Sequence, residues 1–243
     1  MFSWFANPHR FLSLSNWLAP ACYAGGLILM IWGMWQGLWV VPKDDYQGGD
    51  IMRVMFMHVP TAWLAMASYS ALAVMSFIWF IWRHEVADVA AKAIAPLGAV
   101  WTAICLATGS IWGKPTWGTW WQWDDARMMS VLFMFFLFLG YMALRAAMDT
   151  RQKAARAGAI LAMVGAINVP LIHYSVEMFT SLHQTASVIT SSGPKMSAVY
   201  LWPLLSCALG QSLLFAGLVQ TQMRTEIRDR RTAKLRAQLM AGG

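Results

Sequence analysis

Residues 112–125 read Trp-Gly-Lys-Pro-Thr-Trp-Gly-Thr-Trp-Trp-Gln-Trp-Asp-Asp, so Trp112, Trp117, Trp120, Trp121 and Trp123 fall within a dozen positions. Indole combines a wide, stiff apolar face with one N–H donor. Anchoring a helix end at a membrane surface needs far fewer such rings. Trp117, Trp121 and Trp123 suit a flat apolar platform for a large planar ligand; an aromatic belt with a loop plug is the other reading. Three histidines offer metal chemistry: His58 in Met57-His58-Val59-Pro60, His173 in Ile172-His173-Tyr174-Ser175 and His183 in Ser181-Leu182-His183-Gln184. Imidazole is a common axial ligand of haem iron, and two imidazoles on separate elements suit a porphyrin held from both faces. Taken singly, each histidine fits an ordinary hydrogen-bonded role. His9 and His84 belong to the opposite side of the chain's topology.

Other chemistries are missing from the sequence. Cys22, Cys105 and Cys207 each lie in an apolar run, with no C-x-x-C and no C-x-x-C-H for covalent haem attachment. The run Gly109-Ser-Ile-Trp-Gly113-Lys114-Pro115 has the wrong spacing for a phosphate loop and lacks the closing Ser or Thr. Glu177 and Asp124 make no evident acid–base pair, and no nucleophile stands beside a base. No enzymatic turnover is expected.

The elements that must position these residues are membrane spans. The 243 residues are 58% hydrophobic and only 12% charged, against roughly 25% charged in soluble domains. Six segments are long and apolar enough to cross a bilayer of about 20 residues' thickness: Ala19 to Val41, Val54 to Trp82, Ala93 to Trp112, Met128 to Leu144, Ala157 to Val176 and Met196 to Met223. Arg145 lies just past the fourth, within snorkelling reach of the interface. Gly33-x-x-x-Gly37 and Gly109-x-x-x-Gly113 fit close helix packing. Pro60 reads as a first-turn proline, putting His58 at the mouth of the second span.

Of the 18 Lys and Arg residues, Lys43, Arg53, Lys114, Arg127 and Lys195 fall on the side of the tryptophan loop, and the other 13 on the side of the termini. The positive-inside rule places both termini in the cytoplasm and the tryptophan loop outside. The net charge of +7 thus reads as an orientation signal facing the lipid bilayer, not as a nucleic-acid site. The expected organisation is one six-span domain over residues 1–243, ending in a basic cytoplasmic tail at 222–243.

The run Trp117-Gly118-Thr-Trp-Trp121-Gln-Trp123-Asp124 matches W-G-x-x-W-x-W-D, the signature of haem-handling membrane proteins. With Met57-His58-Val59-Pro60-Thr-Ala-Trp63, Gly109-Ser-Ile-Trp-Gly-Lys-Pro115 and Leu182-His183-Gln184, nearly the whole chain resembles the cytochrome c maturation protein C family, the haem exporter C proteins. That family continues W-D-A-R-L-T. Here Trp123-Asp124-Asp125-Ala126-Arg127-Met128-Met129 carries an extra Asp, and Met129 stands where Thr is usual.

The resemblance implies an all-α membrane protein, a six-helix bundle whose periplasmic loops form a haem platform at the inner membrane. His58 and His183 would be the axial ligands of non-covalent, transiently bound haem b. Trp117, Trp121 and Trp123 would pack the porphyrin, Gly118 would let the loop approach closely, and Asp124 would order the loop or meet a propionate through a proton or water. Arg127 would pair with a propionate through its guanidinium fork. Haem would pass to the periplasmic haem chaperone of cytochrome c maturation (CcmE), beside the ABC transporter subunits CcmA and CcmB and the small membrane subunit CcmD. The alternative is a structural subunit of an ABC transporter complex with no haem site of its own.

Overall fold

In lipid every backbone N–H and C=O must be satisfied within the segment, so long apolar runs fold as helices. The computed structural model describes residues 7–44, 48–179, 181–185, 187, 188, 190 and 192–241. Among them α1 is Pro8–Trp35, continued by a π-helical turn Gln36–Val40. A 3₁₀ turn Asp50–Val54 leads into α2 Met55–Trp82. There follow α3 Glu85–Trp117, α4 Ala126–Ala146, α5 Arg151–Gly165, α6 Asn168–Met178 and α7 Ala198–Ala241. Six spans result, with α5 and α6 together forming the fifth.

The spans are longer than the uncharged runs because polar flanks continue the helices beyond the apolar core. α3 begins at Glu85, and α7 runs unbroken through the basic segment to Ala241. α2 begins at Met55, so Pro60, expected in the first turn, is internal to the helix. The fifth span, expected as one helix, is broken at Ala166 and Ile167. Pro170 has no N–H to give the Ala166 carbonyl. Val169 N–H takes that acceptor instead at 3.1 Å, and Ile167 N–H reaches back three residues to Val164 at 3.3 Å. The Asn168 side-chain amide secures the break by donating to the Ser130 carbonyl of α4 at 2.8 Å.

Lipid tails are as apolar as the side chains, so helix pairing depends on close fit. α1 packs along α7 through small residues. A Cβ on Gly26 would stand 2.9 Å from the Gly210 carbonyl, and one on Gly33 would stand 2.6 Å from Cys207 Sγ. Gly33 thus serves the expected packing. Tyr69, Leu72, Ala95, Met134 and Phe138 form the shared core of α2, α3 and α4, where Tyr69 meets Phe138 edge-on at 4.9 Å.

At the end carrying both termini, buried Asp88 of α3 is held by Arg145 of α4 at 2.7 Å and Arg230 of α7 at 2.6 Å. Two cations on one carboxylate offset its desolvation and pin three helices together. The opposite end carries the tryptophan loop and both of the histidines His58 and His183.

Candidate functional site

His58 projects from α2 toward α3. Its Nδ1 lies 3.0 Å from Thr108 Oγ1, and the Thr108 hydroxyl donates to the Ile104 carbonyl at 2.7 Å. A hydroxyl has one proton, so Nδ1 of His58 is the donor and Nε2 keeps its lone pair. Trp112 meets the imidazole edge-on at 5.7 Å. The ring lies so close to α3 that a Cβ on Gly109 would stand 2.9 Å from His58 Cε1.

A polar knot in the bundle supports the same turn of α2. The Gln211 Oε1 of α7 accepts from Trp101 Nε1 at 3.2 Å and lies 3.1 Å from Thr61 Oγ1. Gln211 Nε2 reaches the Met57 carbonyl at 3.4 Å.

α3 ends at Gly118, whose φ of +79° is a left-handed conformation that favours glycine. Its N–H bonds the Lys114 carbonyl at 3.0 Å, and Lys114 Nζ donates to its carbonyl at 3.0 Å. A Cβ on Gly118 would meet nothing within 4 Å, so the need for glycine visible here is the turn. Thr119 Oγ1 then donates to the Trp121 carbonyl at 2.9 Å and folds the loop back.

The loop closes on Asp125, which is 2% exposed. One carboxylate oxygen caps α4 by accepting the Met128 N–H at 2.9 Å. The other accepts Ser181 Oγ at 2.7 Å and the Leu182 N–H at 2.9 Å, with His183 Nδ1 3.4 Å away. Burial alone would raise the Asp125 pKa. The hydrogen bonds from His183, Met128, Ser181 and Leu182 outweigh it and hold the carboxyl well below the usual carboxylate range. Asp125 thereby joins the tryptophan loop to the histidine loop, and its carboxylate favours the tautomer of His183 with Nδ1 protonated and Nε2 free. Trp117 lies edge-on to His183 at 4.9 Å.

The remaining candidates divide. Trp121 and Trp123 meet at 5.9 Å with planes inclined by 67°, so the rings form an angled cradle and not one flat surface. Trp123 is 73% exposed. The Trp121 indole N–H is buried from solvent without an acceptor among the described residues. Asp124 is exposed. Arg127 donates through Nε to Ser175 Oγ at 3.1 Å and through Nη2 to the His173 carbonyl at 3.2 Å, which leaves Nη1 with no protein acceptor among the described residues. The side chain of His173 turns to the exposed face of α6, edge-on to Tyr174 at 4.7 Å. It stands apart from the other two imidazoles.

Five contributors were not assigned to the site from sequence. Asp125 read as an extra residue, although a lone Asp before an apolar run is an N-cap signal. Ser181 and Thr108 matter only through contacts remote in sequence. Gly109 and Gly113 read as helix packing; they instead make room for site side chains. A Cβ on Gly113 would meet the Trp117 ring at 3.0 Å.

The chain is similar to known proteins over most of its length. The family model described as heme exporter protein C matches residues 1–238. A heme exporter protein C of Bradyrhizobium diazoefficiens is 46% identical over 230 residues, covering 95% of this chain and 86% of its own. That of Paracoccus denitrificans is 42% identical over 234 residues, covering 96% of each chain. That of Escherichia coli K12 is 40% identical over 223 residues, 91% of this chain and 89% of its own. Identity of this extent, end to end on a six-span scaffold, shows that the chain belongs to the heme exporter protein C family.

Proposed function

We propose that this chain binds haem at the tryptophan-loop end of the bundle and gives it up to a periplasmic haem chaperone during c-type cytochrome biogenesis. The observation that carries the reading is the matched pair of imidazoles. His58 and His183 come from separate elements, each has Nδ1 occupied by a neighbour, and each keeps Nε2 for a metal. Haem iron takes two axial nitrogen ligands of this kind. Trp117, Trp121 and Trp123 supply the apolar faces for the porphyrin. The unpartnered Trp121 N–H and the free Nη1 of Arg127 supply donors for propionates. Gly118 sets the turn that presents the loop, and Asp124, exposed beside Trp123, meets a propionate through a shared proton or water.

Haem is cargo here, held without covalent attachment as haem b. The chain carries no phosphate loop, so ATP hydrolysis falls to partner subunits, the ABC pair CcmA and CcmB with the small subunit CcmD; the chaperone is CcmE. The excess of Lys and Arg at the end carrying both termini supports a cytoplasmic location for that end, in a bacterial inner membrane.

The test is an absorption spectrum of the purified chain in detergent. A Soret band should appear in the wild type, survive His173→Ala, and be lost or shifted in His58→Ala and His183→Ala. A band indifferent to both of these variants would overturn the ligand assignment.

A further inference from the structure

Far from the histidines, a cavity of about 770 Å³ opens at the end carrying the termini, where the α2–α3 turn, the start of α5 and the extension of α7 converge. Its lining has two characters. Trp79, Val86, Val89 and Ile227 give an apolar floor. Arg83, Arg151, Arg230, Arg231 and Lys234 stand around it, against only Glu85 and Asp88. Arg230 is committed to Asp88 and Glu226. The other four cations have no carboxylate within ion-pair distance among the described residues. The Arg83 guanidinium carbon lies over the Trp79 ring, 4.7 Å from its centre, and the residue has a left-handed backbone with φ of +53° at the end of α2.

Cations concentrated without counterions repel one another, and a cavity that gathers them is complementary to an anion. The apolar floor asks for more than a simple ion. A ligand with a phosphate head and an apolar tail satisfies both parts, its head among the arginines and the start of its chains against Trp79, Val86, Val89 and Ile227.

We infer that this cavity is a binding site for the headgroup of an acidic phospholipid, with Arg151, Arg231 and Lys234 as its principal phosphate contacts. The site is independent of the haem reading. The test is native mass spectrometry of the full chain equilibrated with equal phosphatidylglycerol and phosphatidylcholine. The wild type should retain phosphatidylglycerol preferentially. Each surface cation contributes about fivefold to binding an anionic lipid surface, so Arg151→Gln/Arg231→Gln/Lys234→Gln should lower that preference by about 100-fold. Arg151→Lys/Arg231→Lys, which keeps the charges, should retain most of it and serves as the control for folding. Inorganic phosphate at millimolar concentration should not displace the lipid. Equal retention of the two lipids by the wild type, an undiminished preference in the triple variant, or displacement by inorganic phosphate alone would each overturn the assignment.

Discussion

His58 stands near the start of a 28-residue helix, with its ring packed against α3 and its Nδ1 on a neutral hydroxyl. His183 stands in a loop, with its Nδ1 facing a buried carboxylate that also caps α4. One imidazole is oriented by the bundle itself. The other is oriented by a single residue that holds two loops together. A carboxylate partner raises the donor strength of an imidazole more than a hydroxyl does. The outer ligand should therefore be the stronger donor on the less rigid support, and the inner one the weaker donor on the more rigid support. In the proposed haem site this division would favour release, because opening one loop would remove a ligand without disturbing the helices.

Asp125→Asn should have the largest effect, since it removes the charge and keeps the shape of the side chain. Loss of the carboxylate should reduce haem affinity by about 10- to 100-fold and raise the haem reduction potential, since a weaker donor stabilises the oxidised iron less. Haem titration and potentiometry read both. An equal change in Thr108→Val would erase the asymmetry; that variant should weaken haem less than Asp125→Asn and leave the potential nearly unmoved. Gly109→Ala is next. A methyl 2.9 Å from His58 Cε1 forces the ring away from α3, so the spectrum should shift toward that of His58→Ala while far-ultraviolet helicity stays constant.

Acidification should give a smaller effect. The folded pKa of Asp125 lies below its unfolded value of about 4. Its stabilising share is thus complete at neutral pH and drains away as pH falls from about 5 toward the lower folded pKa. Wild type and Asp125→Asn should converge in thermal stability over that range; parallel curves would mean that the carboxylate does not hold the loops. The smallest expected effect is that of Gly118→Ala, about 1 kcal/mol for placing a side chain at a left-handed turn, measured by thermal unfolding.

Much of this was legible in the residues. Six charge-free stretches correspond to six spans because charge in the membrane interior is costly, and the tryptophan run with His58 and His183 defines the candidate site from residue types alone. What escaped were contacts between positions remote in sequence. Thr108 orients His58 across 50 residues, and Asp125 reaches Ser181 across 56. Nothing local distinguishes such a threonine or aspartate from its neighbours. The break at Ala166 was within reach, since Pro170 stands in the run, but a single proline in an apolar stretch can equally kink a continuous helix. The angled tryptophan cradle depends on the fold-back at Thr119, a side-chain bond that no hydrophobic pattern encodes.

The length of α7 has a mechanical consequence. At 1.5 Å per residue its 44 residues make a rod of about 66 Å, roughly twice the hydrocarbon thickness of a bilayer. Each added residue turns whatever follows by about 100°. The rod therefore acts as a phase gauge: inserting one residue after Met223 would swing Arg230 away from Asp88 and Lys234 out of the cavity, while the segment crossing the lipid stayed in place.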